Sequence, residues 1–149
     1  MKLAADASAL IEESLRTRGR RLIAHEDLDL YIAVPTWSEV VHEIGSRVDS
    51  MIRHGHLDPE ARTATISDTE AMLRRSLTVV VEAEYGQYEG EARDRVPRDP
   101  NDWPTVALAL SMGIAIWTSD RDFFGCGVPV WTTQTLLRHL ETGRARLEP

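Results

Sequence analysis

Carboxylates recur beside strand ends and turn signals in this chain, and they are the residues best placed to do chemistry. Asp6 closes an apolar run over residues 2–5. Glu39 follows Val34-Pro35, with Glu43 four residues on and on the same helical face. Asp99 and Asp102 fall in Asp99-Pro100-Asn101-Asp102-Trp103-Pro104, and Asp120 and Asp122 follow the apolar stretch that ends at Trp117. Singly, Asp6, Asp102 and Asp120 could each be a helix N-cap worth about 1 kcal/mol, and Glu39 a solvated helix residue. Gathered at one place, they would repel one another and raise each other's pKa unless a cation sat among them. A hard divalent ion with oxygen ligands, Mg2+ above all, is the natural occupant.

Other chemistries are removed by what the chain lacks. Lys2 is the only lysine, so phosphate loops ending in Gly-Lys-Ser/Thr, Schiff-base lysines and the lysine pocket of phospho-receiver domains have no residue to use. Cys126 stands alone, which excludes a disulfide framework, a thiolate zinc site and a Cys-x-x-Cys redox pair. Among the five histidines only His54-Gly55-His56 are close in sequence, and they read as a polar turn. Ser8 and Thr118 are either helix-start and turn residues or groups that orient a water or a metal ligand.

The elements that must position these acids alternate. Residues 2–5 read as a strand, followed by a helix running to the basic tract Arg16 to Arg21. Leu28 to Val34 is a second strand, and Pro35 opens a long helix with Trp37, Val40, Val41, Ile44, Val48, Met51 and Ile52 at helical spacing. Turn signals at Gly55 and Asp58-Pro59 precede Ser67-Asp68-Thr69-Glu70, a possible capped helix start. Thr78 to Val81 suggests a buried third strand. Residues 82–98 are polar, with a weak helical pattern and a loop at Val96-Pro97-Arg98. A buried helix then ends at Gly113, Ile114 to Trp117 is a fourth strand, Val128 to Trp131 a fifth, and Thr133 to Leu140 a closing helix. The reading is one domain over residues 1–149: an α/β chain forming a three-layer α/β/α sandwich with a mainly parallel sheet of about five strands. In such a sheet the carboxyl ends of the strands and the amino ends of the helices share one edge, and the acids map there.

Asp6-Ala7-Ser8-Ala9-Leu10-Ile11 resembles the opening motif of PIN domains, an Asp closing the first strand before a small residue, Ser or Asn, and an apolar pair. Glu39, Asp102 in Asp102-Trp103-Pro104-Thr105-Val106-Ala107-Leu108-Ala109, and Asp120 in Thr118-Ser119-Asp120-Arg121-Asp122-Phe123 are similar to the family's later acidic motifs, in order. The resemblance implies a metal-dependent ribonuclease with Asp6, Glu39, Asp102 and Asp120 holding one or two Mg2+ or Mn2+ ions and a metal-activated water as nucleophile. Glu43 could replace Glu39, which is favoured because it lies nearer the helix start. Asp99 could assist from outside the ligand set, and Asp122 could join the cluster or cap the following turn. Many bacterial members of the family are toxins of toxin-antitoxin pairs and commonly form homodimers, so an antitoxin protein and a second copy are implied partners.

Charge fits this reading once the acids are placed. The 149 residues carry a formal net charge of -7, which argues against binding RNA through bulk positive charge, but a cation at the acidic edge would cancel it locally. Arg16, Arg18, Arg20 and Arg21, with Arg98 and Arg121, could hold flanking phosphates; the tract reads equally as a solvated helix end. Trp37 and Trp103 could stack on an unpaired base, though packing is favoured for both. A catalytically silent protein-binding module is the competing reading. A phosphatase of haloacid-dehalogenase type ranks below both, because Ser8 stands where its second Asp belongs and the internal lysine is missing. The amino end turns acidic within about a dozen residues, unlike a signal peptide, and no apolar stretch approaches the roughly 20 residues that span a bilayer, so a cytoplasmic protein without a membrane contact is expected.

Overall fold

The apolar run at the amino end extends as strand β1, Lys2–Ala5, and stops at Asp6, whose side chain accepts the Ser8 amide and so caps helix α1, Ala7–Ser14. The computed structural model describes residues 1–145, with side chains through residue 143. Helix α1 stops just short of the basic tract, as expected. It ends at Ser14, and the basic tract opens a second helix, α2, Thr17–Ile23, folded back against the first. Gly19 makes that turn-back feasible, because a Cβ there would lie 2.2 Å from the Glu13 carbonyl oxygen.

Strand β2, Asp29–Ala33, passes directly into helix α3, Val34–Arg53, whose Pro35 occupies the first turn, where its missing N–H costs nothing. Trp37, Val40, Ile44 and Val48 bury one face of α3. Helix α4, Arg62–Ser76, begins before the expected capping segment, so Ser67 and Asp68 lie in its interior. The start signal used is Asp58, whose Oδ1 accepts the Glu60 amide at 2.9 Å in a 3-10 turn just ahead. Strand β3, Leu77–Val80, is an edge strand rather than a buried one: Thr78 is exposed and Val79 is 41% exposed.

Two 3-10 turns and helix α5, Glu89–Arg95, fill the polar stretch that follows. Helix α6, Trp103–Met112, is ended by Gly113 at φ 64, a left-handed conformation that suits glycine. Strands β4, Ala115–Trp117, and β5, Val130–Trp131, are shorter than their apolar runs, and α7, Thr133–Ala145, closes the described chain. Pro129 lacks an N–H for the ladder and contributes only its carbonyl, which accepts from Ile116 at 2.9 Å.

All strand pairs are parallel, in the order β3-β2-β1-β4-β5. Alternation along the strands divides the core in two. Leu3, Ala5, Leu30, Ile32 and Trp117 pack with Leu10, Val40, Ile44, Leu73 and Leu136 of α1, α3, α4 and α7. Ala4, Ala33 and Ile116 pack with Ala92, Val106 and Leu108 of α5 and α6 on the other face. The result is a three-layer α/β/α sandwich. Its strand order reverses between β1 and β4, where crossovers leave in opposite directions and open a crevice at the strands' carboxyl ends. Among the described residues, no helix is long and apolar enough to cross a membrane.

Candidate active site

Asp6 and Thr118 stand at the reversal point, immediately after β1 and β4. The Asp6 amide donates to the Trp117 carbonyl at 2.9 Å, extending the pairing to the crevice. The Asp6 carboxylate is only 6% exposed, and its Oδ2 accepts from Ser8 Oγ at 2.6 Å, Thr118 Oγ1 at 2.8 Å and the Ser8 amide at 3.2 Å. Burial raises its pKa, and the hydrogen bonds from Ser8 and Thr118 oppose that rise. Oδ1 accepts from no side chain among the described residues, and the Ala7 amide adds a weaker backbone contribution that also lowers the pKa. The same hydroxyls serve the β4 loop: Thr118 Oγ1 accepts the Asp120 amide at 2.9 Å and Ser8 Oγ the Ser119 amide at 3.2 Å. Ser8 and Thr118 are therefore more than turn residues, since they tie Asp6 to the segment that carries Asp120.

The remaining acids arrive from two other elements. Glu39 lies in the second turn of α3 with Glu43 one turn further, and both line an open cleft of about 470 Å³ together with Asp6, Asp102 and Asp120. Asp102 ends a 3-10 turn just before α6 and its side chain makes no capping hydrogen bond to that helix. Its carboxyl is pushed up to about 7, first by partial burial and then by the charges of Asp6, Asp99, Asp120 and Glu39. Glu39 is raised as well, by desolvation and then by Asp6, Glu43 and Asp99. Those mutual effects place the acids of four separate segments within electrostatic reach of one another.

The capping readings divide accordingly. Asp6 caps α1, and Asp120 Oδ1 accepts the Asp122 amide at 2.8 Å. Asp99 caps its own 3-10 turn through the Asn101 amide at 3.0 Å and acts on the cleft only through its charge. Asp122 does not join the cluster, because it pairs with Arg98 at 3.1 Å and lines a different pocket.

The arginines disperse. Arg16 pairs with Glu12 at 3.0 Å and lines, with Arg18, a groove on the far side of Ser119. Arg20 donates to the Ser14 carbonyl at 3.2 Å and tethers α2 to α1, while Arg21 lines a small groove against α7. Trp37 and Trp103 are core residues, the first covered by Arg74 and the second set between Tyr85 and Arg93, so neither offers a ring to a base. Sequence reasoning missed Arg47, the one cationic side chain lining the acidic cleft among the described residues, and Glu12, which also lines it. The signal was present for Arg47: Glu39, Glu43 and Arg47 recur every four residues along one face of α3.

A cation fits the chemistry of this donor set, which is oxygen only and carries mutually repelling charge. Among the described residues, no three His, Cys, Asp or Glu side chains converge closely enough to hold an ion as they stand. The cleft is thus an open arrangement of hard ligands rather than a closed cage.

A family model described as PIN domain matches residues 5–141. No curated protein matches the sequence. Among solved structures, the crystal structure of PAE2754 from Pyrobaculum aerophilum superposes with a TM-score of 0.65 at 22% identity, covering 95% of this chain and 90% of that one. At that identity the likeness concerns the fold.

Proposed function

The chain belongs to the PIN domain family, whose members are generally nucleases, and from that premise we propose that it is a metal-dependent ribonuclease hydrolysing phosphodiester bonds of single-stranded RNA. The observation that carries this reading is the meeting of Asp6, Glu39, Asp102 and Asp120 at one crevice, with Asp102 raised to about 7 by burial and then by its neighbours' charges. These four residues would hold Mg2+ or Mn2+, with Glu43 within reach of the same cleft. When bound, such an ion lowers the pKa of a water and offsets charge on the attacked phosphate. Ser8 and Thr118 fix the Asp6 carboxylate so that one oxygen stays directed by the framework. Arg47, exposed on α3 beyond the acids, is placed to take a phosphate of the bound strand.

The same reading extends to the toxin of a toxin-antitoxin pair acting in the cytoplasm, with an antitoxin protein and a second copy of the chain as partners. A small antitoxin-like gene beside the coding frame and the mass of the purified protein in solution check those extensions. The central test is incubation of the protein with single-stranded RNA and Mg2+ or Mn2+, beside an EDTA control and Asp6→Asn. Cleavage that needs the ion and Asp6 supports the proposal, and cleavage that survives either change defeats it. Absence of cleavage across varied RNAs would leave a silent binding module.

A further inference from the structure

The loop leaving β4 serves two pockets in succession. Asp120 lines the acidic cleft, whereas the next residues, Arg121 and Asp122, line a second pocket of about 620 Å³. Arg95 and Arg98 reach this pocket from the other side, so three arginines face two aspartates, Asp94 and Asp122, in a chain that is acidic as a whole. Arg95 is occupied with Glu91 and the Cys126 carbonyl, and Arg98 leans on Asp122. Arg121 is exposed and makes no ion pair among the described residues.

Phe124 completes the pocket and is 52% exposed, although its neighbour Phe123 is fully buried. Its display is built into the backbone. Phe123 and Cys126 anchor the loop in the core, the Phe124 amide donates to the Arg121 carbonyl at 3.0 Å, and Arg95 Nη1 holds the Cys126 carbonyl at 2.8 Å. Gly127, at φ 79, lets Arg95 pass close over the chain, since a Cβ there would meet Nη1 at 2.4 Å. An aromatic ring held outward beside unpaired guanidinium charge is the pairing that single-strand binders use, one group stacking on a base and the other taking a phosphate.

Resting on the ribonuclease reading of the acidic cleft, we propose that this pocket binds one unpaired nucleotide of the substrate strand, its base stacked on Phe124 and its phosphate held by Arg121 and Arg98. The pocket adjoins the cleft through consecutive residues, Asp120 lining one and Arg121 the other, so a strand held at the acids has a route along the β4 loop to Arg121. The acids would then recruit the ion while the neighbouring pocket adds positive charge to that of Arg47 and supplies the stacking surface that the cleft lacks.

The test uses the full chain carrying Asp6→Asn in Mg2+, with wild type in EDTA as a second uncut sample, and follows anisotropy of a short fluorescein-labelled single-stranded RNA. Phe124→Ala should weaken binding about fivefold or more, Phe124→Trp should retain it, and Arg121→Ala should flatten the salt dependence by about 0.7 in the log-log slope. Both side chains are exposed, so melting temperatures should not move. Undiminished binding by Phe124→Ala and Arg121→Ala overturns the pocket, as does an equal loss on a fully duplex RNA, or tight binding of an acidic peptide that RNA does not displace. Failure here is separable from failure of the nuclease reading: a chain that cleaves RNA with Phe124→Ala unchanged in KM loses only the pocket, and one that binds RNA through Phe124 without cleaving any ion-loaded sample loses only the nuclease.

Discussion

Asp6 and Asp102 line the same cleft, but the chain supports them differently. Asp6 is buried, and Ser8 and Thr118 give its Oδ2 three hydrogen bonds that offset part of the desolvation cost. Asp102 receives no capping bond from α6, and its neighbours' charges add to the effect of burial. One carboxylate belongs to the framework that joins two strand ends. The other carries an electrostatic cost that the protein leaves to something outside itself.

The largest expected effect is on chemistry. Asp6→Asn should lower kcat/KM for single-stranded RNA in Mg2+ by roughly a thousandfold, since several kcal/mol of charge stabilisation depend on a correctly placed ligand set. A loss of less than tenfold would remove Asp6 from the reaction. Next comes the framework itself: Thr118→Val deprives Asp6 of a donor and leaves the Asp120 amide without its acceptor, a change worth about 1–3 kcal/mol in urea denaturation. Asp102→Asn removes no such bond, so an equal destabilisation there would erase the contrast.

The sign of the pH dependence sharpens the comparison further. A carboxyl at 3.8 when unfolded and about 7 when folded keeps its proton longer in the native state, so native protein binds more protons across that window. Stability contributed by Asp102 is present below about 4 and is lost as pH rises through about 7. In chelator, the melting temperature of wild type should therefore fall relative to Asp102→Asn over this range, and Mg2+ at pH 8 should restore wild type more than the variant. Differential scanning fluorimetry at several pH values reads both, and parallel curves would contradict the assignment. The smallest effect belongs to Arg47→Ala, which should leave melting unchanged and reduce the salt slope of RNA binding by about 0.7.

Much of this arrangement was legible in the sequence, and the reasons are local. Asp6 ends an apolar run, Pro35 and Pro104 open helices, and Gly113 closes one, each through chemistry confined to a turn. What escaped was decided by distant contacts. The β-branched run at Thr78 has the composition of a buried strand, but sheet order places it at the edge. Phe123 and Phe124 are identical side chains in sequence, and only the loop's anchoring sends one inward and the other outward. Arg47 was readable from its spacing with Glu39 and Glu43, whereas the sequence left Asp122 open between the cluster and a turn cap, and Arg98, brought in from a remote segment, pairs with it instead.

Gly19 extends the reach of the cleft well beyond its lining. Its missing side chain lets α2 lie against the end of α1, the helix whose other end is capped by Asp6. Any larger residue would push against the Glu13 backbone and tilt α1 at the far end from the carboxylate it positions. A random-mutagenesis screen for inactive chains should accordingly recover substitutions at position 19, a residue with no functional group of its own.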